Sequence, residues 1–208
     1  KDLLSSLISG FCLSIHFILW MYSLQYTSVA SAVVLIDTHP IFIALAIRFL
    51  FQERISKILI LGIGIALIGS TIIAVKDFNP GTNEFLGDML ALVGALTFAV
   101  YVLIGGRLRK RLSLLPYVFV VYSMCAFILL ILCLIARMPL YPYSSFDYLL
   151  FLLLAIVPTI FGHTVFNWSL KYIETSIVSV SILGEPIGAT ILAILFLGEI
   201  PSVVKVLG

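Results

Sequence analysis

The sequence predicts an all-α integral membrane protein organised as an inverted repeat of five helices, and three observations carry that expectation. The first is composition. The 208 residues are 62% hydrophobic and 11% charged, where a soluble domain is about 45–50% apolar and about 25% charged. A chain of this length has too little interior to hide so much apolar surface, so lipid must act as its solvent. The second is span length: seven stretches reach the roughly 20 apolar residues needed to cross a bilayer. The third is a duplication, in which residues 20–56 return without a gap, 146 positions later, as residues 166–202. Matches of Leu or Ile carry little weight in so apolar a chain. A shared Ser-Leu-x-Tyr (Ser23, Leu24, Tyr26 and Ser169, Leu170, Tyr172), a mid-helix proline (Pro40 and Pro186) and a Glu-x-x-Ser (Glu53, Ser56 and Glu199, Ser202) carry much more.

In chain order the spans are expected at 3–24, 29–51, 57–75, 85–106, 115–136, 148–172 and 175–198, with an eighth starting near Val203. The links are short or rich in turn formers, as in Lys76-Asp77-Phe78-Asn79-Pro80-Gly81, and no soluble domain interrupts them. Lys and Arg set the orientation. Arg48, Arg54, Lys57, Arg107, Arg109, Lys110, Arg111, Lys1 and Lys171 fall on one side, and Lys76, Arg137 and Lys205 on the other. The basic loops 52–58 and 107–113 are therefore expected in the cytoplasm, with the protein in the plasma membrane. The aromatic link with Tyr141, Pro142 and Tyr143 is expected at the outer interface, where amphipathic rings are favoured.

Five spans separate the helix at 3–24 from its counterpart at 148–172. An odd number inserts the second copy upside down. Two halves of five make a ten-helix bundle. On that count the chain holds seven full spans and the start of another, with two further helices expected before Lys1 and most of one after Gly208.

The turn Tyr26-Thr27-Ser28, the apolar helix with its central proline and the helix end Phe51-Gln52-Glu53-Arg54-Ile55-Ser56 resemble the EamA-like branch of the drug/metabolite transporter superfamily. So do the glycine-rich helix from Leu61-Gly62, the Gly184-Glu185-Pro186 triplet and Leu197-Gly198-Glu199. The halves depart from each other at Gln52 against Gly198, and at Thr38-His39-Pro40 against Gly184-Glu185-Pro186. The resemblance implies two EamA-like repeats, residues 1–83 and 84–208, and a carrier of small metabolites, commonly an exporter of amino acids or related compounds, with a central cavity.

Polar residues in mid-span are the candidate site, because a charge at the bilayer centre costs from a few to more than ten kcal/mol (about 3–17) unless it meets a partner or a cavity. Asp37 and His39 lie in the middle of one span and Glu185 in the middle of its repeat. At 100° per residue Asp37 and His39 are about 200° apart, so both line one site only if the helix is distorted. Pro40 and Pro186 are the expected kinks, since each removes the bond to the carbonyl four residues earlier, Ile36 or Ile182. For Glu185 a proton- or amine-binding role stands beside a structural hydrogen bond. For His39 a packing hydrogen bond is the simpler reading.

His16 and Trp20 share one helix face, as do His163 and Asn167, with Trp168 adjacent. Tyr101 sits midway along a helix that also holds Thr97. These residues read either as a pocket wall or as interhelical hydrogen bonds. Gly62, Gly64, Ala66, Gly69, Gly184 and Gly188 read as sites of close helix approach.

The net charge of +2 gives no reason to expect a nucleic-acid partner, and no cofactor is expected. Cys12, Cys125 and Cys133 have no metal-ligand spacing, and a His/Asn pair is not a metal motif. An intramembrane enzyme is the alternative class, but no HExxH, GxSxG or paired intramembrane aspartate is present. A channel would need a selectivity-filter loop, and none is recognisable. A membrane interaction protein that moves nothing is the remaining alternative. The sequence is silent on substrate identity, coupling ion and oligomeric state.

Overall fold

The computed structural model describes residues 1–50, 52, 57, 60–65, 68–69, 72, 83–198 and 200, apart from the Pro186 side chain. The expected span at 57–75 lies mostly outside these residues, and the eighth span lies wholly outside them. Among the described residues the chain is helical without a strand, and six helices are long and apolar enough to cross a membrane. They run Asp2–Ser23, Val29–Phe49, Asn83–Leu108, Leu114–Ile135, Ser145–Ser169 and Thr175–Leu197. Three are unbroken: α1 (Asp2–Ser23), α4 (Asn83–Leu108) and α5 (Leu114–Ile135).

The other three depart from α geometry where the sequence demands it. The span with Pro40 divides at Asp37 and Thr38 into α2 (Val29–Ile36) and α3 (His39–Phe49). Pro40 has no N–H to offer the Ile36 carbonyl, and the His39 ring takes that place, Nδ1 lying 3.4 Å from the Ile36 oxygen. Thr38 Oγ1 donates to the Leu35 carbonyl at 2.7 Å. The span with Pro186 divides at the equivalent point into α8 (Thr175–Ser181), a 3₁₀ turn (Ile182–Gly184) and α9 (Glu185–Leu192), followed by a π-helical turn, Ala193–Leu197. Here the Glu185 N–H bonds the Ile182 carbonyl that Pro186 leaves free. The remaining span joins α6 (Ser145–Leu154) to α7 (Val165–Ser169) through a π-helical segment, Ala155–Thr164, containing Pro158. Thr159 Oγ1 donates to the Leu154 carbonyl, which Pro158 cannot reach.

The boundaries repeat as the residues do. α1 and α7 end at Ser23 and Ser169, α2 and α8 begin at Val29 and Thr175, and α3 and α9 begin at His39 and Glu185, each pair 146 positions apart. Between the two broken helices, α2 packs chiefly on α9 and α3 on α8. Pairing the first half of one helix with the second half of the other is an antiparallel crossing; a parallel pair would match α2 with α8. The copies of this helix therefore run in opposite directions, as an inverted repeat requires.

Small residues bring the unbroken helices together. α4 buries Gly87, Ala91, Gly94, Phe98, Tyr101 and Gly105, a seam spaced by alternating fours and threes, and it packs most extensively on α1. A Cβ at Gly87 would come within 2.8 Å of the Thr27 backbone nitrogen, and one at Gly10 within 2.5 Å of the Val121 carbonyl. By contrast, a Cβ at Gly62, Gly64, Gly184 or Gly188 meets nothing within 4 Å among the described residues. Among the described residues the close approaches fall at Gly10, Gly87, Gly94, Gly105 and Gly106.

The outward faces are apolar. Leu115, Phe119, Ile135, Phe161 and Leu195 are all exposed, as lipid-facing side chains must be. Lys1, the 107–113 link and Lys171 gather at one end of the bundle. There Arg111 pairs with Asp2 at 3.2 Å, and buried Arg109 donates from Nε to the Asn167 carbonyl at 2.8 Å and from Nη1 to the Leu112 carbonyl.

Candidate functional site

The seam of α4 consists of small residues except at Phe98 and Tyr101, and those two rings form the floor of the candidate site. Phe98 touches three imidazoles. The centroids of His16 and His39 lie 4.7 Å away, and that of His163 lies 5.8 Å away. Tyr101 stands 5.4 Å from Phe98 and 6.2 Å from His163. α1 adds Phe17, 5.3 Å from His163, and Trp20, stacked 6.2 Å from His16.

Phe17 and His163 are counterparts at the 146-residue offset. In a two-fold arrangement a position meets its own equivalent only at the axis. Their contact therefore marks the pseudo-two-fold axis, and the aromatic and histidine cluster surrounds it.

Hydrogen bonds fix the orientation of several members. His16 Nδ1–H donates to the Gly94 carbonyl at 3.1 Å, which leaves Nε2 of the neutral ring as an acceptor. Asn167 Nδ2 donates to the His163 carbonyl at 2.8 Å and to Tyr101 Oη at 2.5 Å, with Tyr122 Oη further away at 3.4 Å. Because the His163 oxygen can only accept, it settles which way the amide faces. Tyr122 is held in turn by Thr164 Oγ1 at 3.1 Å, and Tyr117 by Ser9 Oγ at 3.0 Å.

Among the described residues, Trp20 Nε1, His163 Nδ1, Asn167 Oδ1, Asp37 Oδ2 and His39 Nε2 are buried without a hydrogen-bond partner. Buried polar groups are nearly always paired, so these orphans, spread over α1, the joint of α2 and α3, α7 and the π-helical segment, leave bonds for a ligand or water to complete. Trp20 supplies a donor, Asn167 Oδ1 and Asp37 Oδ2 are acceptors, and the imidazoles serve as either. No group of three metal-ligating side chains occurs among the described residues.

The structure thus brings together His16, Trp20, Tyr101, His163 and Asn167. Asp37 joins them through His39, whose Nδ1 lies 3.9 Å from Asp37 Oδ1. The helix break is the distortion that residues 200° apart required. Glu185 is exposed at the start of α9, the helix that packs on α2. Trp168 lies apart: it is half exposed and packs on Tyr172 at 5.1 Å. Pro40 and Pro186 stand in the first turns of α3 and α9, immediately after the two breaks. Phe17, Phe98 and Tyr122 were not singled out from sequence. The heptad of small residues on α4, interrupted in mid-span by Phe98 and Tyr101, is the signal that points to the floor.

Comparison with known proteins bears on this arrangement. The model of the EamA-like transporter family matches residues 1–75 and 85–208. The chain belongs to the EamA-like transporter family. A relative in Clostridium kluyveri, described as an uncharacterized transporter, is 32% identical over 94% of this chain and 64% of its own length. The uncharacterized transporter YxxF of Bacillus subtilis is 22% identical over 100% of this chain and 67% of its own. The chain thus spans about two thirds of the curated relatives it matches. A solved crystal structure covers 99% of this chain and 83% of its own, with a TM-score of 0.69 and 17% identity, and shares the fold. The EamA-like family and the names of these relatives point to transport, not catalysis.

Proposed function

We propose that this EamA-like chain is the working part of a secondary-active carrier that moves small metabolites across the plasma membrane by alternating access. Its substrates are amino acids or related compounds, and the direction is outward. The observation that carries the reading is the antiparallel crossing of the two proline-broken helices beside an axis occupied by Phe17 and His163. A repeat inverted about such an axis has two conformations of nearly equal energy, because exchanging the shapes of the halves turns an inward-open site outward. Residues 1–83 and 84–208 would be the two exchanging units, and the basic loops 52–58 and 107–113 would face the cytoplasm. The aromatic wall suits an apolar body, while the orphan donor on Trp20 and the acceptor on Asn167 suit a polar head carrying both kinds of group.

The test is counterflow in proteoliposomes loaded with a mixture of unlabelled amino acids and supplied outside with the same mixture radiolabelled. A carrier gives saturable, trans-stimulated entry, and substitution of Trp20 by Ala raises the half-saturating concentration. Unsaturable flux would identify a channel, and a chemically altered product an intramembrane enzyme. Absence of any flux would leave the non-transporting interaction protein.

A further inference from the structure

The break between α2 and α3 holds a carboxylate–imidazole pair that substrate recognition does not absorb. We propose that Asp37 and His39 form the proton-binding site through which a transmembrane pH difference drives this transporter, an inference that rests on the carrier reading above.

The pair is secluded in mid-span, with Asp37 4% and His39 1% exposed. Asp37 Oδ1 is 3.9 Å from His39 Nδ1, too far for a hydrogen bond, and Oδ2 has no donor. His39 Nδ1 faces the Ile36 carbonyl, the Ser179 main chain lies beside the ring, and Nε2 makes no well-formed bond. An ionised carboxylate so poorly solvated is costly, and a proton on either partner, taken from hydronium and returned to water, neutralises the site or converts it to an ion pair.

Among the described residues the other titratable groups near the pair are Glu185, at the start of the helix that packs on α2, and His16, which shares Phe98 with His39. His163 and Tyr101 lie across Phe98, and α8 carries no titratable side chain. Three of the carbonyls beside the break already have partners that a metal cation such as sodium would have to displace. The carbonyl at Val33 is taken by the Asp37 N–H, the one at Leu35 by the Thr38 N–H and hydroxyl, and the one at Ile36 is covered by His39. A proton needs only one acceptor.

Position supplies the coupling. The pair sits at the joint of the broken helix, where α2 meets α9 and α3 meets α8. Any change in the charge of Asp37 or His39 therefore acts on the crossing that must rearrange when access alternates.

Two readouts test this separately. pH-difference infrared spectroscopy of the purified protein in lipid follows the carbonyl stretch of protonated carboxyl groups. A titrating band should be present in the native protein, absent in Asp37→Asn and kept in Glu185→Gln; His39→Gln should shift the pH at which it titrates. A band unaffected by Asp37→Asn overturns the proposal. In proteoliposomes with the labelled amino-acid mixture, one proton per turnover sets an accumulation of about tenfold per unit of pH difference. Asp37→Asn should reduce that ratio to unity while retaining counterflow, which also shows that the variant is folded. Counterflow in the native protein with no response to a pH gradient, or with a response to sodium instead, overturns coupling alone. No counterflow in the native protein overturns the carrier reading and the coupling with it.

Discussion

Replacing Asn167 by Leu removes the amide that ties α7 to α4 while nearly conserving volume. Two short bonds are lost, Nδ2 to Tyr101 Oη at 2.5 Å and Nδ2 to the His163 carbonyl at 2.8 Å; the 3.4 Å contact with Tyr122 is too long to add much. Tyr122 keeps Thr164 as a partner, so the group that loses its short bond is the Tyr101 hydroxyl, which is 2% exposed and keeps only Tyr122 beside it. In water-soluble proteins a stranded buried polar group costs about 1–3 kcal/mol. Interhelical bonds in membranes average about 0.6 and reach about 1.7 kcal/mol. Only the bond to Tyr101 crosses between helices, so the expected loss is about 1–2 kcal/mol, measurable by reversible unfolding of the purified protein in mixed micelles. The pairwise part is isolated by a double-mutant cycle with Tyr101→Phe, which should show a coupling of about 1 kcal/mol. Native stability in Asn167→Leu together with zero coupling would refute the reasoning, because the amide would then be interchangeable with an alkyl group.

Other substitutions separate packing from charge. At Gly10 the obstacle to a Cβ is the Val121 backbone carbonyl, so Gly10→Ala should cost about 1–3 kcal/mol of unfolding free energy, with no side chain available to relieve it. At Gly106 the nearest obstacle is Thr175 Oγ1, so Thr175→Ala should recover most of the stability lost in Gly106→Ala. The ion pair between Asp2 and Arg111 is exposed, and Asp2→Asn should change unfolding free energy by less than about 1 kcal/mol. Arg109→Met should cost more than that exposed pair, because it leaves the Asn167 and Leu112 carbonyls without their donor.

The spans were legible because lipid demands long apolar runs whatever their side chains do. The six helices that qualify end within about three residues of their expected limits, a margin ordinary for helix ends. The break at Asp37 was legible because proline withdraws a specific hydrogen bond. What sequence could not give was facing. Gly184 and Gly188 have the spacing of a packing motif, yet they face open space among the described residues, while isolated Gly10 meets a backbone. Trp168 adjoins Asn167 in sequence, but one residue along a helix turns a side chain by about 100°, and Trp168 stands half exposed outside the cluster. Arg109 reads as one more loop charge, yet its guanidinium is buried against the carbonyls of Asn167 in α7 and Leu112 in the link. The Phe98 floor is assembled from four separate segments, and only the fold brings those rings together.

The inversion of the two copies is the central claim, and side-specific labelling tests it most directly. With Cys12, Cys125 and Cys133 replaced, a single cysteine is placed at Gln25 or at Lys171, positions that correspond at the 146-residue offset. An impermeant maleimide should label the first only from outside intact cells and the second only from the cytoplasmic side of inverted vesicles. Labelling of both from the same side would contradict the inverted repeat and the carrier mechanism built on it.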